Sequence, residues 1–277
     1  MRVNDIKNVL MNEQFAVYGN GYIAKRFYKQ LVKIGASNNL AAVAVTEKTE
    51  GITGINNKPV TKISDINRDM RIILATHDAV ADEMKAVLEK LHFKSYIWIY
   101  PYLFDMELGE PIERNRSIAL SDLLKINLKV YHLVIYYLSL KDYCNENKYN
   151  GELYKKLMIH HSSVETANRR WENFRKKINK CMTNGFTQDY NVKVLENYNL
   201  LDGFHRFAMA LYFGGYVINA DVYKGDKEFF TKDAPGGDVL IGENELTAYY
   251  APNEVEDIKR ATEELRGMSM RENAYSK

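Results

Sequence analysis

Tyr198-Asn199-Leu200-Leu201-Asp202-Gly203-Phe204-His205-Arg206-Phe207-Ala208-Met209-Ala210-Leu211 changes character at one glycine. Ahead of it, Val192-Lys193-Val194-Leu195 and the turn residues Glu196 and Asn197 predict a hairpin whose second strand runs into Asp202. Behind it, residues 206–213 read as a helix ended by Gly214 and Gly215. Gly203 permits a sharp turn or a close backbone approach. Strand, glycine turn and helix N-terminus together offer backbone N–H groups and a positive dipole end to an anion. Arg206 adds a planar donor fork suited to phosphate, and His205 a second polar arm. Asp202 repels a bare phosphate, so its presence makes sense if it holds a magnesium ion bridging to that phosphate.

Upstream, residues 164–182 predict a helix with Val164, Trp171, Phe174, Ile178 and Cys181 or Met182 on its buried side. The other face carries Glu165, Arg169, Arg170, Arg175, Lys176 and Lys177. Such a run reads either as a solvated face, with Glu165 and Arg169 an i, i+4 ion pair, or as a face turned partly toward the ligand of the following loop. His160 and His161 suggest zinc together with His205, but adjacent histidines on a helix or strand point apart.

Further out, 277 residues with 38 basic and 36 acidic side chains fit two balanced domains and argue against a nucleic-acid coat. Cys144 and Cys181 form no metal-ligand spacing or disulfide framework, which suggests a reducing cytoplasm. No signal peptide or membrane-spanning run is evident. Residues 107–116, with Gly109 and Pro111 among charges, mark the best boundary. Residues 117–145 read as one long or two short helices, capped by Ser117 or Ser121, that connect the domains. Tyr131, Tyr136, Tyr137 and Tyr143 broaden their apolar surface, so a homodimer interface is the alternative to internal packing, and His132 is read as structural.

At the N-terminus, Phe15-Ala16-Val17-Tyr18 runs into Gly19-Asn20-Gly21-Tyr22-Ile23-Ala24, followed by Phe27, Leu31 and Ile34 at helical spacing. Runs at 40–45, 72–75 and 96–99, with a helix at 79–91, predict parallel βαβ units. Gly19 and Gly21 are candidates for a phosphate turn or simply make a tight strand–helix connection. Glu47 is the candidate ribose acid, although it lies 26 residues beyond Gly21 where about 20 is usual. His77 and Asp78 lie where open α/β sheets bind ligands.

This N-terminal segment resembles the small Rossmann-like domains that precede catalytic modules in bacterial surface-sugar enzymes. The match rests on Gly19, Gly21 and Ala24, on the loop at 54–60 and on Ala75-Thr76-His77-Asp78. The C-terminal order resembles the ParB/sulfiredoxin superfamily over residues 160–225. That order is a helix with an early acid, Asn184-Gly185, a hairpin, Asp202-Gly203-Phe204-His205-Arg206 and a helix. Its closest pattern is that of the free serine kinases. The resemblance implies ATP or ADP with magnesium at the turn, with Asp202 as the metal-site aspartate. His205 and Arg206 would bind phosphate, with Gly203 at the turn; Arg169, from the basic face of the preceding helix, is read beside them as a further cofactor contact. Glu165 would be the base for a small-molecule hydroxyl acceptor, with Glu152 and Glu172 as the nearby alternatives. Phe204 replaces the cysteine of sulfiredoxins, and Cys181 is assigned to a buried face, so sulfinic acid repair is not expected. His205 stands where the DNA-partitioning members carry arginine, and no recognition helix follows, which argues against DNA.

The expected architecture is therefore α/β. It comprises a Rossmann-like domain at 1–108, a helical connector at 109–150 and a ParB/sulfiredoxin-like α+β domain with a C-terminal helix at 151–277. The expected function is a magnesium-nucleotide-dependent phosphotransferase, with an acceptor in surface-polysaccharide assembly suggested by the N-terminal resemblance. The alternatives are a non-catalytic nucleotide switch or scaffold, and a nicotinamide-dependent enzyme centred on Gly19–Ala24. A nucleotide or nucleotide-sugar is the candidate ligand of the N-terminal turn.

Overall fold

In the computed structural model of the chain, residues 2–47, 54–55, 58–160, 163–225 and 241–271 are described, with only the backbone at 78, 79 and 271. Asn56, Asn57, the Asp78 side chain, His161 and the glycine- and aspartate-rich stretch at 226–240 lie outside the described residues. The chain divides into two units, Met1–Glu110 and Pro111–Lys277.

In the first unit, helix α1 (Val3–Asn12) leads into β1 (Phe15–Tyr18), α2 (Tyr22–Lys33) and β2 (Leu40–Val45). There follow β3 (Val60–Lys62), β4 (Arg71–Leu74), α3 (Asp78–Lys90), β5 (Tyr96–Trp98) and α4 (Tyr100–Leu108). The five strands are parallel in the order β3-β2-β1-β4-β5. This is the order of the first five strands of a doubly wound dinucleotide-binding sheet. Alternation sends Phe15 and Val17 to one face, against Ile6, Leu10, Phe27, Leu31 and Leu103. Ala16 and Tyr18 go to the other face, against Ile63, Leu88 and Phe93. Both faces are covered, which is why the strands read as short continuous apolar runs. Strand β3 was not anticipated, because three residues with one buried carry no readable period.

The second unit begins with a strand, β6 (Glu113–Ala119), followed by α5 (Leu120–Asn127), α6 (Tyr131–Cys144), α7 (Glu152–Ile159) and α8 (Val164–Asn184). Next come β7 (Val192–Leu195), β8 (Leu200–Asp202), α9 (Phe204–Tyr212), β9 (Val217–Tyr223), α10 (Glu243–Tyr249) and α11 (Pro252–Arg271). The strands form a mixed sheet in the order β6-β9-β7-β8, with β7 and β9 parallel and the other pairs antiparallel.

Of the expected connector at 109–150, residues 111–150 are instead part of this unit. Strand β6 hydrogen-bonds to β9, and Leu123, Leu133, Val134, Ile135, Tyr137 and Leu140 share one buried cluster with Val192, Val194, Ala220 and Val222. Helix α6 is apolar nearly all round because it is enclosed, not because it awaits a partner, so the surface offered as a dimer interface is spent inside the chain. Ser117 lies in β6 and Ser121 inside α5, where Ala119 takes the N-cap position instead. His132 is structural as expected: it is 2% exposed and accepts the Ile241 backbone N–H at Nδ1. Among the described residues no helix is long and apolar enough to cross a membrane.

Helix α11 is tied to the α6–α7 turn through Asp257, which accepts from Lys148 Nζ at 2.7 Å and from the Tyr149 hydroxyl. The Lys148 hydrogen bond, followed by that from Tyr149, holds the Asp257 carboxyl below its ordinary range. A carboxylate held low contributes stability above the ordinary carboxylate range and loses it as pH falls through its own pKa. Asp257→Asn is accordingly expected to lower Tm at pH 7, with the gap to the unaltered chain closing below about pH 4. A gap that stays constant over a thermal unfolding series in pH would contradict this.

Candidate functional site

Strands β7 and β8 form the expected hairpin. Its turn is set by the Asn197 side chain, which accepts the Asn199 N–H at 3.1 Å, and by Tyr198 at φ 66°. Val194 pairs with Leu200 toward the core, and a register shift between Lys193 and Val194 then pairs Lys193 with Asp202. Such a bulge re-aims the side chain beyond it. Here it turns Asp202 away from the core face that Leu200 occupies. Gly203 follows at φ 110°, and a Cβ there would lie 2.6 Å from Val192 Cγ1. No other residue makes this turn without strain. Helix α9 starts at Phe204, two residues before the expected 206, so Phe204, His205 and Arg206 are its first turn.

The turn brings Asp202 and Arg206 together at 2.9 Å, Nη2 to Oδ2, with both side chains less than a fifth exposed. Arg206 Nη1 donates to the carbonyls of Tyr190 at 3.2 Å and Asn191 at 3.3 Å. Asn191 in turn donates its side-chain amide to Asp221 Oδ1 at 2.7 Å, which also accepts the Asn115 N–H. Lys193 stands in register between Asp202 and Asp221, donates to the Tyr223 hydroxyl at 3.1 Å and lies 3.6 Å from Asp221 Oδ2. Two cations and two carboxylates therefore form a balanced network on the sheet face opposite the helical core. With one strand between them, Asp202 and Asp221 stand about 10 Å apart.

His205 is directed elsewhere. Its Nε2 lies 2.9 Å from the Tyr154 hydroxyl, and its ring packs between Tyr136 at 4.5 Å and Phe174 at 4.4 Å. Glu165 lies in the first turn of α8, which Ser163 caps by accepting the Thr166 N–H. Glu165 and Arg169 are both exposed, and among the described residues no ion pair joins them. No described contact brings either residue to Asp202. Burial pushes the Cys181 thiol upward, its sulfur lying 3.9 Å from Met209 Sδ, which makes it a poor nucleophile. Among the described residues, no three His, Cys, Asp or Glu side chains gather as a metal site, and His160 packs against Tyr249 with the rings tilted at 52°.

In the first unit, Gly19 lies at the end of β1 with φ 122°, where a Cβ would meet the Ala75 carbonyl at 2.6 Å. Packing of β1 on β4 is thus sufficient reason for that glycine. Gly21, the N-cap of α2, has φ −88° and nothing within 4 Å of a Cβ position, so the fold does not require it. Glu47 lies two residues past β2 and pairs with Lys62 in solvent. His77 packs on Tyr100 with ring centroids 4.5 Å apart.

No protein-family model, curated protein or solved structure matches this chain.

Sequence reasoning missed Lys193, Asn191, Asp221 and Tyr154. Lys193 and Asp221 did carry a signal, since each is the one charged residue of a mostly apolar strand. Gly203→Ala is expected to cost about 2–4 kcal/mol through left-handed strain and the Val192 contact. Gly21→Ala should cost under about 1 kcal/mol. Urea unfolding of the two variants measures the contrast, and equal costs would remove the argument for an obligate turn.

Proposed function

We propose that the second unit is a nucleotide-dependent phosphotransfer domain of the ParB/sulfiredoxin kind, closest in pattern to the free serine kinases, acting on a small-molecule hydroxyl. The observation that carries this reading is the Asp202–Arg206 pair, held at 2.9 Å across a glycine-only turn at a helix start. An ion pair opened by a metal–phosphate pair keeps its charge balance, because the carboxylate takes the cation and the guanidinium takes the phosphate.

Among the described residues no second carboxylate joins Asp202 in a metal cluster, and Asp221 lies beyond Lys193. That donor set fits magnesium arriving with ATP or ADP, which keeps its waters and phosphate oxygens, better than a resident ion in a protein cage. Bound there, magnesium would offset charge on the transferring phosphoryl group. The chain's own part is positioning. Backbone N–H groups of the first turn of α9 and the Arg206 fork hold phosphate oxygens, and Asp202 orients the metal. Glu165 takes this role from the resemblance alone: it accepts the acceptor hydroxyl's proton while that oxygen bonds to phosphorus and the shortened nucleotide leaves. An acceptor in surface-polysaccharide assembly is likewise proposed by resemblance. Asp202→Asn is expected to reduce nucleotide-dependent transfer or hydrolysis by about 100-fold or more. Turnover that survives the substitution would remove Asp202 from the mechanism. Glu165→Gln should bind nucleotide and fail to transfer, and an unchanged rate would assign the base elsewhere.

A second reading, a nucleotide or nucleotide-sugar at the end of β1, is favoured by Gly21, an N-cap glycine whose open Cβ position shows that packing does not demand it. Gly21→Val in the full chain should then abolish that binding and leave Tm in place. Binding that persists in this variant would end the second reading.

A further inference from the structure

We propose that Tyr190 is the aromatic platform of the second unit's nucleotide site, its ring stacking on the base and adding affinity that a bare triphosphate does not receive. The inference rests on the phosphotransfer reading above and concerns the part of the ligand that Asp202 and Arg206 do not hold.

Tyr190 lies shortly before β7 and is 59% exposed. A single exposed apolar side chain is ordinary and by itself means little. The backbone beneath this one sets it apart. The Tyr190 carbonyl accepts from Arg206 Nη1 at 3.2 Å and from Gln188 Nε2 at 3.0 Å. Gln188 also accepts the Asn219 N–H at 2.8 Å and donates to the Asn219 carbonyl at 2.6 Å, which fastens the segment to β9. The next residue, Asn191, gives its carbonyl to the same Nη1 at 3.3 Å and its side-chain amide to Asp221 at 2.7 Å. The main chain at 190–191 is thus held from several sides. Among the described residues, no hydrogen bond, ion pair or ring contact engages the Tyr190 side chain. A closely fixed backbone therefore carries an aromatic ring that the packing of the fold does not use.

The place of that ring follows from Arg206. Its Nη2 faces Asp202, and this is the contact that an arriving metal–phosphate pair opens. Its Nη1 is on the two carbonyls, which are not displaced when that pair opens. The guanidinium accordingly keeps its place against the Tyr190 backbone with phosphate bound. Covalent geometry keeps the phenol ring within one side chain's length of that carbonyl. In a nucleotide a single sugar joins the base to the phosphates, so a ligand whose phosphates lie on Arg206 brings its base into the same neighbourhood. Stacking on an aromatic ring is open to every base, because each has a π face. A tyrosine ring also gives up little side-chain freedom when it is covered. The platform thus favours a nucleotide over a bare phosphate chain and does not choose one base over another.

Calorimetric titration of the full chain with magnesium-ATP, and separately with magnesium and inorganic triphosphate, tests this. Tyr190→Ala is expected to weaken ATP binding about fivefold or more. Its affinity for triphosphate and its Tm should match those of the unaltered chain, because the residue is exposed and its backbone contacts remain. Tyr190→Phe should bind ATP as the unaltered chain does, since the ring face and not the hydroxyl makes the contact. ATP binding unchanged in Tyr190→Ala would overturn the inference and leave the phosphotransfer reading standing. An equal loss of both ligands in that variant would also overturn it, because Tyr190 would then act only as a support for Arg206. An unaltered chain that binds neither ligand would remove the phosphotransfer reading and this inference with it.

Discussion

The contact between Val192 and the Cα of Gly203 governs what the second unit presents. A side chain at 203 would meet Val192 at 2.6 Å, so the chain turns there in a conformation that suits glycine alone. That turn ends β8, starts α9 and sets Asp202 and Arg206 one helical turn apart on either side of it. The bulge one pair earlier supplies the second condition, since without the register shift Asp202 would follow Leu200 toward the core. Two local backbone features thus aim a carboxylate and a guanidinium at each other.

The pair is supported rather than free-standing. Arg206 is held from behind by two carbonyls of the strand approach, and Asn191 couples one of these to Asp221 and through it to Lys193. Lys193 and Asp221 are both more than nine-tenths buried, and charges so placed are tolerable only when their hydrogen bonds are complete. Such a network fixes geometry more than it adds stability, and a positioning site needs fixed geometry. The aromatic group around His205 does the same on the helical side, where ring packing and one hydroxyl define a single orientation.

Much of this was legible in the sequence because it depends on local rules. The hairpin, the glycine turn, the following helix and the parallel strands of the first unit all come from periods and turn chemistry within a few residues. The errors arose where long-range pairing decides. Glu113–Ala119 lacks an apolar alternation, with only Ile118 well buried, and becomes a strand because β9 offers an edge 100 residues later. The inward orientation of His205 depends on Tyr136, Tyr154 and Phe174 from three separate helices. Nothing in Asp-Gly-Phe-His-Arg announces it. The two N-terminal glycines looked alike in sequence, and only the environments of their missing side chains separate a packing glycine from one the fold does not need.

A crystal structure of the full chain soaked with ATP and magnesium tests the account most directly, since it offers the same ligand to both glycine turns at once. The account predicts phosphate oxygens on the first turn of α9 and on Arg206, with magnesium between them and Asp202 and the Asp202–Arg206 pair opened. Nucleotide found only beside Gly21, with that pair still closed, would contradict it.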